Sequence, residues 1–295
     1  MFKNLNTDVL GVSGTSSEVV ESAISYGFKG LDFDIVAFAA QVKLGGIAKA
    51  RRFYDSAKLR LTVFSLPVEW HEDPDRFKTD LAALPAYLEI AKELGCTRAT
   101  VTIEPAGDMR PFHENYEYHR RKLTELAEAV EPYGIRLGVN FLAPASYKQG
   151  RAFQFIQTVD QLLMLFRAVS AKNIGLVLDT WNWHVGGGTL EQIRSQTADK
   201  IVAVYLADCE PDATAATATD AARRLPGESG VIDCPAILTI LSEMRYDGPI
   251  TPYPSKASLS GQGRDKAVKQ ASAAIDQVWK ASGLNPQGKL LAAAK

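Results

Sequence analysis

The chain has 295 residues, of which 46% are hydrophobic and 23% charged, and its formal net charge at pH 7 is −1. These values are typical of an ordinary soluble globular protein, and so small a net charge provides no basic field to attract nucleic acid or anionic lipid. No apolar run approaches the roughly 20 residues that span a bilayer, and the opening residues lack the apolar core of a secretory signal. We therefore expect neither a membrane nor a nucleic-acid partner.

Eight short β-rich runs alternate with longer segments of helical period. In chain order the predicted strands are residues 7–13, 30–35, 59–66, 98–104, 135–141, 174–180, 201–207 and 248–253. Most of them are continuously apolar rather than alternating, which is typical of parallel strands covered on both faces. The pattern therefore favours an α/β protein.

The segments between the strands have the spacing of amphipathic helices. Residues 121–132 and 156–169 each place their apolar side chains on one helical face. Glycines stand where helices should end, at positions 27, 95, 134 and 248, and Pro85 predicts a kink or a late helix start within 75–94. Eight such units predict a single-domain (β/α)8 TIM barrel over residues 1–282, with a C-terminal tail at 283–295. No GxGxxG follows the first strand, which disfavours dinucleotide binding.

The three cysteines set an expectation for the compartment. Cys96, Cys209 and Cys234 are odd in number and have no CxxC spacing. A disulfide framework or a structural zinc site is therefore not expected, and a reducing cytoplasm is the default location.

Polar residues follow most of the predicted strands. In a barrel of this type the carboxyl ends of the strands converge, so we expect these residues to share one crater. They are Asp34, Glu69, His71, Glu104, Asn140, Asp179, His184, Asp208, Arg223, Glu228, Tyr253 and Lys256. Simpler structural roles are open for each: Asp34 would also suit a helix N-cap, and Asp179 would also suit backbone bonding at the glycine-rich turn.

Several stretches of the chain resemble the xylose isomerase-like TIM-barrel superfamily of sugar isomerases, ketose epimerases and inosose dehydratases. They are "GFKGLDF", "GIRLGVNFLAP", "IGLVLDTWNWHVGG", "VYLADC" and "RRLPGESGVID". Together they cover almost the entire predicted barrel. The Asp-x-x-x-x-His and Arg-x-x-Pro-Gly-Glu stretches are the most specific of them.

The resemblance also implies a divalent metal, namely Mn²⁺, Mg²⁺, Co²⁺ or Zn²⁺. In the superfamily the usual ligands are a Glu after strand five, an Asp after strand six, a His on strand seven and a Glu after strand eight. Here the corresponding positions read Asn140, Asp179, Tyr205 and "TPYPS" around Tyr253. Only Asp179 matches, so the metal shell looks lost unless it is rebuilt from Asp179, His184, Glu104 or Asp208.

A metal-free site would still support proton abstraction next to a carbonyl. Glu69, Glu104 or His184 would serve as the base, and Arg223 would hold an anionic group. Tyr205 or Tyr253 would stabilise an enolate oxygen, while Trp70 and Trp181 would offer flat faces to a sugar ring. The remaining candidates for substrate contact are His71, Asn140, Asp179, Asp208 and Glu228.

These residues and the resemblance leave three functions open. The first is a carbohydrate isomerase or epimerase acting on a keto-sugar or polyol, with or without a metal. The second is a catalytically silent barrel that binds a sugar-like ligand or a protein, and the third is a sugar lyase or dehydratase. The expected partner is a small carbohydrate, and a homo-oligomer is possible.

Overall fold

The computed structural model describes residues 1–71, 73–285 and 287–291. Its centre is a parallel sheet of nine strand segments: β1 (Phe2–Leu5), β2 (Gly30–Leu31), β3 (Arg60–Leu61), β4 (Phe64–Ser65), β5 (Arg98–Ile103), β7 (Arg136–Phe141), β9 (Ile174–Asp179), β10 (Ile201–Leu206) and β13 (Pro249–Pro252). They lie in the order β3-β2-β1-β13-β10-β9-β7-β5-β4. Two antiparallel pairs lie outside the sheet, and their segments are Ala106–Gly107 (β6) with Phe153–Gln154 (β8), and Asp208–Cys209 (β11) with Arg223–Arg224 (β12).

Residues 60–65 close the sheet into a barrel. β3 pairs with β2, whereas β4, only two residues further along the chain, pairs with β5. The two outermost segments of the strand order are thus halves of one barrel strand. The predicted (β/α)8 barrel is confirmed, with the third predicted strand divided in two.

Helices cover the outside of the barrel. They are α1 (Thr7–Leu10), α2 (Ser16–Ser25), α3 (Ile35–Gly45), α4 (Ile47–Ser56), α5 (Pro74–Glu93), α6 (Phe112–Val130), α7 (Val159–Ala168), α8 (Thr180–Val185), α9 (Leu190–Arg194), α10 (Cys234–Glu243) and α11 (Arg264–Ala281), with 3₁₀ turns at 131–133, 145–148, 198–200, 220–222 and 256–259. α6 buries the stripe of Leu123, Leu126 and Val130 that its sequence spacing predicts. None of the helices in the described residues is long and apolar enough to cross a bilayer.

The helix ends follow local sequence signals. Asp34 accepts hydrogen bonds from the amides of Val36 and Ala37, so it is the N-cap of α3. The glycines at 27, 95 and 134 adopt positive φ just after helices, as predicted, whereas Gly248 instead precedes β13. α5 begins at Pro74 and continues through Pro85, so the predicted late helix start is wrong.

The first predicted strand, residues 7–13, is also wrong. The barrel strand is Phe2–Leu5, and Thr7–Leu10 forms a short helix instead. The side chain of Asn6 accepts hydrogen bonds from the amides of Asp8 and Val9, and this cap starts the helix. The polar residues Lys3 and Asn4 conceal the true strand, although Asn4 is fully buried within a hydrogen-bond network.

The end of the described chain packs against the barrel. Leu284 is buried and pairs with Leu290, and the indole of Trp279 donates to the carbonyl of Asn285. Residues 286 and 292–295 of the predicted tail lie outside the described residues.

Gly175 of β9 lies close to the backbone of Lys200, the residue directly before strand β10. A Cβ at this position would lie 2.4 Å from the carbonyl oxygen of Lys200, a backbone atom that a rotamer change does not move. We expect Gly175→Ala to lower the free energy of unfolding by about 1–3 kcal/mol, measured by chemical denaturation. Gly45→Ala, at the end of α3, is the control. The atoms nearest to its Cβ would belong to the flexible side chain of Lys49, so the free energy of unfolding should stay the same or increase. Equal losses in the two variants would contradict the strand-contact explanation.

Candidate functional site

Two adjoining cavities open at the carboxyl ends of the barrel strands. Their volumes are about 510 Å³ and 490 Å³, and we call them the first and second crater cavities. The residues that line both are Asn6, Asp8, Ser65, Thr100 and Tyr205. Asp32 lines only the first cavity, and Arg223 lines only the second. The crater predicted at this end of the barrel is therefore present.

A buried ion pair lies at the wall of the second crater cavity. Arg223 Nη1 donates to Asp179 Oδ1 at 3.0 Å, and Nη2 donates to Oδ2 at 2.9 Å. Asp179 is only 2% exposed and Arg223 only 4%. A bidentate geometry of this kind fixes both side chains and makes the strongest class of charge-assisted hydrogen bond.

Neighbouring groups hold the guanidinium of Arg223 on three sides. Its central carbon lies 4.3 Å from the ring centroid of Trp181 and 4.7 Å from that of Tyr253. Arg223 Nε also lies 3.4 Å from Asp220, whose carboxylate accepts a hydrogen bond from the hydroxyl of Tyr147. Burial alone would lower the pKa of Arg223, but Asp179, together with Tyr253 and Asp220, outweighs burial and raises it. The side chain therefore stays positively charged at neutral pH.

Asp32 belongs to a polar network at the opposite wall of the crater. Its Oδ1 accepts from the Asn4 amide at 2.7 Å and from the Thr62 hydroxyl at 3.0 Å, and its Oδ2 accepts from Asn6 at 3.1 Å. The Asn4 amide also donates to Thr251. Burial raises the pKa of Asp32 to about 6, although these hydrogen bonds act in the opposite direction. Asp32 therefore titrates close to neutral pH.

Two tyrosines and an asparagine complete the crater. The rings of Tyr205 and Tyr253 stack with centroids 4.8 Å apart and an interplanar angle of 16°. Burial raises the pKa of both phenols, so they remain protonated at neutral pH. Asn140 lines the second crater cavity, and its side-chain oxygen accepts from the amide of Phe141.

Glu69, His71 and Glu104 line a separate side cavity of about 290 Å³. It adjoins the crater through Thr102, which lines the second crater cavity and accepts a hydrogen bond at 2.9 Å from His71 Nε2. Glu69 Oε1 lies 3.5 Å from His71 Nδ1. Trp70 is buried against His71 and His119, so its ring is part of the core and not a ligand surface.

Trp181, predicted to offer a flat face to a sugar ring, is fully buried against Arg223. Three further predicted site residues lie away from the crater. His184 is exposed on α8, and Glu228 lines a groove beside α11, where its carboxylate accepts from the amide of Leu225. Asp208 is fully buried and accepts four backbone N–H groups, those of Cys209, Ser229, Gly230 and Ile232. Burial acts to raise the pKa of Asp208, but these hydrogen bonds prevail and lower it. Asp208 organises the loop beyond β10.

Asp32 and Asn6 are crater residues that sequence reasoning missed. Both come directly after strands whose bounds differ from the predicted ones, since β1 is Phe2–Leu5 instead of 7–13 and β2 ends at Leu31 instead of 35. The segment "GLDFDI" contains two aspartates, and only Asp34 carried a recognised signal, that of a helix cap. A predicted strand that ended at Leu31, as β2 does, would have marked Asp32 as the first residue beyond it.

A family model described as xylose isomerase-like TIM barrel matches residues 20–278. The chain belongs to this family. An inosose isomerase of Bacillus velezensis is 28% identical over 209 residues, which are 70% of this chain and 71% of that protein. An inosose isomerase of Halalkalibacterium halodurans is 30% identical over 149 residues, and this match spans half of each chain.

Solved structures agree with the fold. A xylose isomerase domain protein from Alicyclobacillus acidocaldarius superposes with a TM-score of 0.85 at 21% identity, covering 96% of this chain and 99% of the other. An IolI protein with a bound zinc atom superposes with a TM-score of 0.78 at 18% identity, covering 96% and 98%. At these identities the likeness establishes the architecture and not the chemistry.

The donor groups of this chain do not fit the metal that the family implies. Asn140 and the phenols of Tyr205 and Tyr253 are neutral, and both oxygens of Asp179 already accept from a cation. The alternative ligands do not assemble either, because Asp208 is bonded to backbone amides and His184 is exposed. Within the described residues no group of three or more His, Cys, Asp or Glu side chains has the arrangement of a metal site.

Asp208 gives a stability prediction with a definite pH dependence. In Asp208→Asn a side-chain NH₂ would face backbone donors, so we expect a loss of about 2 kcal/mol at pH 7 by chemical denaturation. The pKa of Asp208 is lower in the folded than in the unfolded protein, so its contribution to the free energy of unfolding is fully present above the unfolded pKa of about 4. This contribution is lost as the pH falls through the folded pKa. The difference in free energy of unfolding between the variant and wild type should therefore become smaller at acidic pH.

Glu228→Gln is the matched control on the same loop. Its carboxylate is exposed and accepts from a single amide, so its effect should stay within about 0.5 kcal/mol. A pH-independent loss in Asp208→Asn would contradict the charge-based account.

Proposed function

We propose that the protein is a sugar isomerase or epimerase that acts on a keto-sugar or cyclic keto-polyol by proton abstraction next to the carbonyl. The observation that carries the proposal is Asp32, a carboxylate of the crater whose pKa is raised to about 6. A base with a pKa near the working pH is suited to such a step. The inosose isomerase relatives support the same reaction class.

The crater lining suits a polyhydroxylated ligand. Ser65, Thr100, Asn6 and Asn140 supply neutral donors and acceptors at the strand ends. Such groups pair with sugar hydroxyls without a formal charge on the ligand. Tyr205, stacked on Tyr253, and Tyr253 itself add aromatic residues to the lining of the second crater cavity.

In the proposed step the carboxylate of Asp32 takes the proton from the carbon next to the carbonyl. The electron pair of that C–H bond forms a C=C bond while the π pair of the carbonyl moves onto its oxygen, which gives an enediolate. In isomerisation the proton of the adjacent hydroxyl passes to that oxygen, and Asp32 returns its proton to the former carbonyl carbon. In epimerisation a water molecule delivers a proton to the opposite face of the original carbon, and the hydroxide that it leaves takes the proton from Asp32. The phenols of Tyr205 and Tyr253 are protonated donors for the developing oxyanion. Glu69 and Glu104, predicted as bases, line the side cavity and are assigned no part in this step.

We further propose that the protein works in a reducing compartment such as the cytoplasm. Cys96, Cys209 and Cys234 are all buried free thiols. Burial raises the pKa of each, which keeps them protonated and unreactive.

The test is hydrogen–deuterium exchange at the α-carbon, followed by NMR on a panel of ketoses and inososes in D₂O. We expect kcat/KM for exchange to rise with pH through about 6, because Asp32 must be ionised to accept the proton. Asp32→Asn should lower the rate by about 100-fold or more and abolish this pH dependence.

Asp233→Asn is the control. It replaces an exposed N-cap of α10 outside the crater with another good cap, so exchange should be unchanged. Exchange that survives in Asp32→Asn would refute the assignment of the base. Ligand-induced thermal stabilisation without any exchange would favour the sugar-binding barrel, and loss of water from the substrate would favour the lyase.

A further inference from the structure

We infer that the guanidinium of Arg223 takes the place of a divalent metal ion in this crater and stabilises the substrate oxyanion. The inference rests on the proposed function for its chemistry, but its central claim concerns cation binding and is testable without a substrate. It also makes Asp179 a positioning residue for Arg223 instead of a metal ligand.

The hydrogen-bonding capacity of Asp179 is saturated. Its Oδ1 accepts from Arg223 and from the amides of Trp181 and Asn182, at 3.0 to 3.2 Å. Its Oδ2 accepts from Arg223 and from the side-chain amide of Asn182, both at 2.9 Å. A metal would have to displace Arg223, which would then remain as a buried cation without its main partner.

The charge of the surroundings also matches a single cation. The other family ligand positions, Asn140, Tyr205 and the region of Tyr253, offer neutral groups along the second crater cavity. Asp179 is thus the one carboxylate among the four family ligand positions, and it is paired with the single positive charge of Arg223.

The guanidinium is, in addition, rigidly held. A metal is useful in catalysis because its charge does not reorganise during the reaction, and a guanidinium acts similarly only when it is immobilised. Arg223 lies between the rings of Trp181 and Tyr253 and is bonded in bidentate fashion to Asp179. Asp220 adds a contact to Nε at 3.4 Å. The cation is thus held at the cavity wall in a single orientation.

The arrangement also connects Arg223 to the two phenols. Tyr253 contacts the guanidinium with one ring face and stacks on Tyr205 at 4.8 Å. Arg223 acts against the effect of burial on the Tyr253 pKa, so the cation strengthens this phenol as a hydrogen-bond donor. An oxyanion in the second crater cavity would meet a cation and phenol hydroxyls together, which is the electrostatic stabilisation that a metal would provide.

The metal-binding test uses isothermal titration of Mn²⁺ and of Zn²⁺ into chelator-treated protein. Three proteins are compared: wild type, Asn140→Glu with Tyr205→His, and the same pair combined with Arg223→Met. The double variant restores two family ligands but retains the cation, whereas the triple variant also releases Asp179. We expect no saturable binding in the first two and at least about tenfold tighter binding in the triple variant.

Several results would overturn the inference. They are stoichiometric Mn²⁺ or Zn²⁺ binding by wild type, equal affinity in the double and triple variants, and no gain of affinity in a folded triple variant. Thermal unfolding of each protein establishes that it is folded. If the triple variant does not fold, the double variant still tests the inference, because saturable metal binding beside a retained Arg223 would refute it.

The catalytic part is tested by chemical rescue of the exchange reaction. We expect Arg223→Ala to lose about 100-fold in kcat with a smaller change in KM, and free guanidinium to restore part of the loss. Added Mn²⁺ should restore none of it, and Arg223→Lys should retain intermediate activity. Rescue by Mn²⁺ but not by guanidinium would refute the role of the cation.

The two proposals fail separately. If wild type exchanges no ketose or inosose, the proposed function fails, but the titrations still show whether Arg223 excludes a metal. If exchange occurs and wild type binds Mn²⁺, the proposed function stands and this inference fails.

Discussion

The ion pair between Asp179 and Arg223 is the interaction on which the crater depends. A carboxylate buried at the end of a barrel strand needs a cation, and here the cation comes from β12, 44 residues further along the chain. The pair therefore ties the β11–β12 hairpin to the barrel. It also fixes the distance of Trp181 and Tyr253 from each other, because both rings contact the same guanidinium. The arrangement of Trp181, Arg223 and Tyr253 at the second crater cavity therefore depends on this one contact.

The buried Asp179 and the half-buried Asp32 differ in their partners. Asp179 pairs with a cation, whereas Asp32 accepts only from the neutral side chains of Asn4, Asn6 and Thr62. Neutral donors offset burial only in part, so the pKa of Asp32 is raised. One carboxylate thus holds a charge in place while the other is able to exchange a proton. Divergent environments for two neighbouring acids are a common basis for divided roles in catalysis.

The barrel was predictable from the sequence because its long parallel strands are buried on both faces. β9 and β10 are buried along their whole length, and their aliphatic runs were recognisable for that reason. β1 was not recognisable, since Lys3 bonds Asp276 of α11 and Asn4 enters the polar network, two contacts that depend on distant parts of the chain. A strand as short as β1, with polar residues inside it, leaves no periodic signal.

The positions of site residues along the chain were likewise predictable, but the directions in which their side chains point were not. Asp179 and Arg223 were both placed in the crater, but their mutual pairing depends on the hairpin that returns Arg223 to the barrel. His184 was expected beside Asp179, yet α8 begins at Thr180, directly after the aspartate. Five residues on a helix correspond to a rotation of about 140°, which turns the imidazole away from the residue that caps the helix.

Exchanging a metal for a guanidinium changes what the site demands of its substrate. A divalent ion coordinates oxygen directly and carries twice the charge of Arg223, whose charge is already partly balanced by Asp179 and Asp220. The proposed site therefore polarises a carbonyl less strongly, and more of the stabilisation must come from the phenols of Tyr205 and Tyr253. Donors of this kind act on an oxygen only along defined hydrogen-bond directions. The crater should consequently discriminate among sugars by the orientation of the oxygens next to the reacting carbon more than by their affinity for a metal.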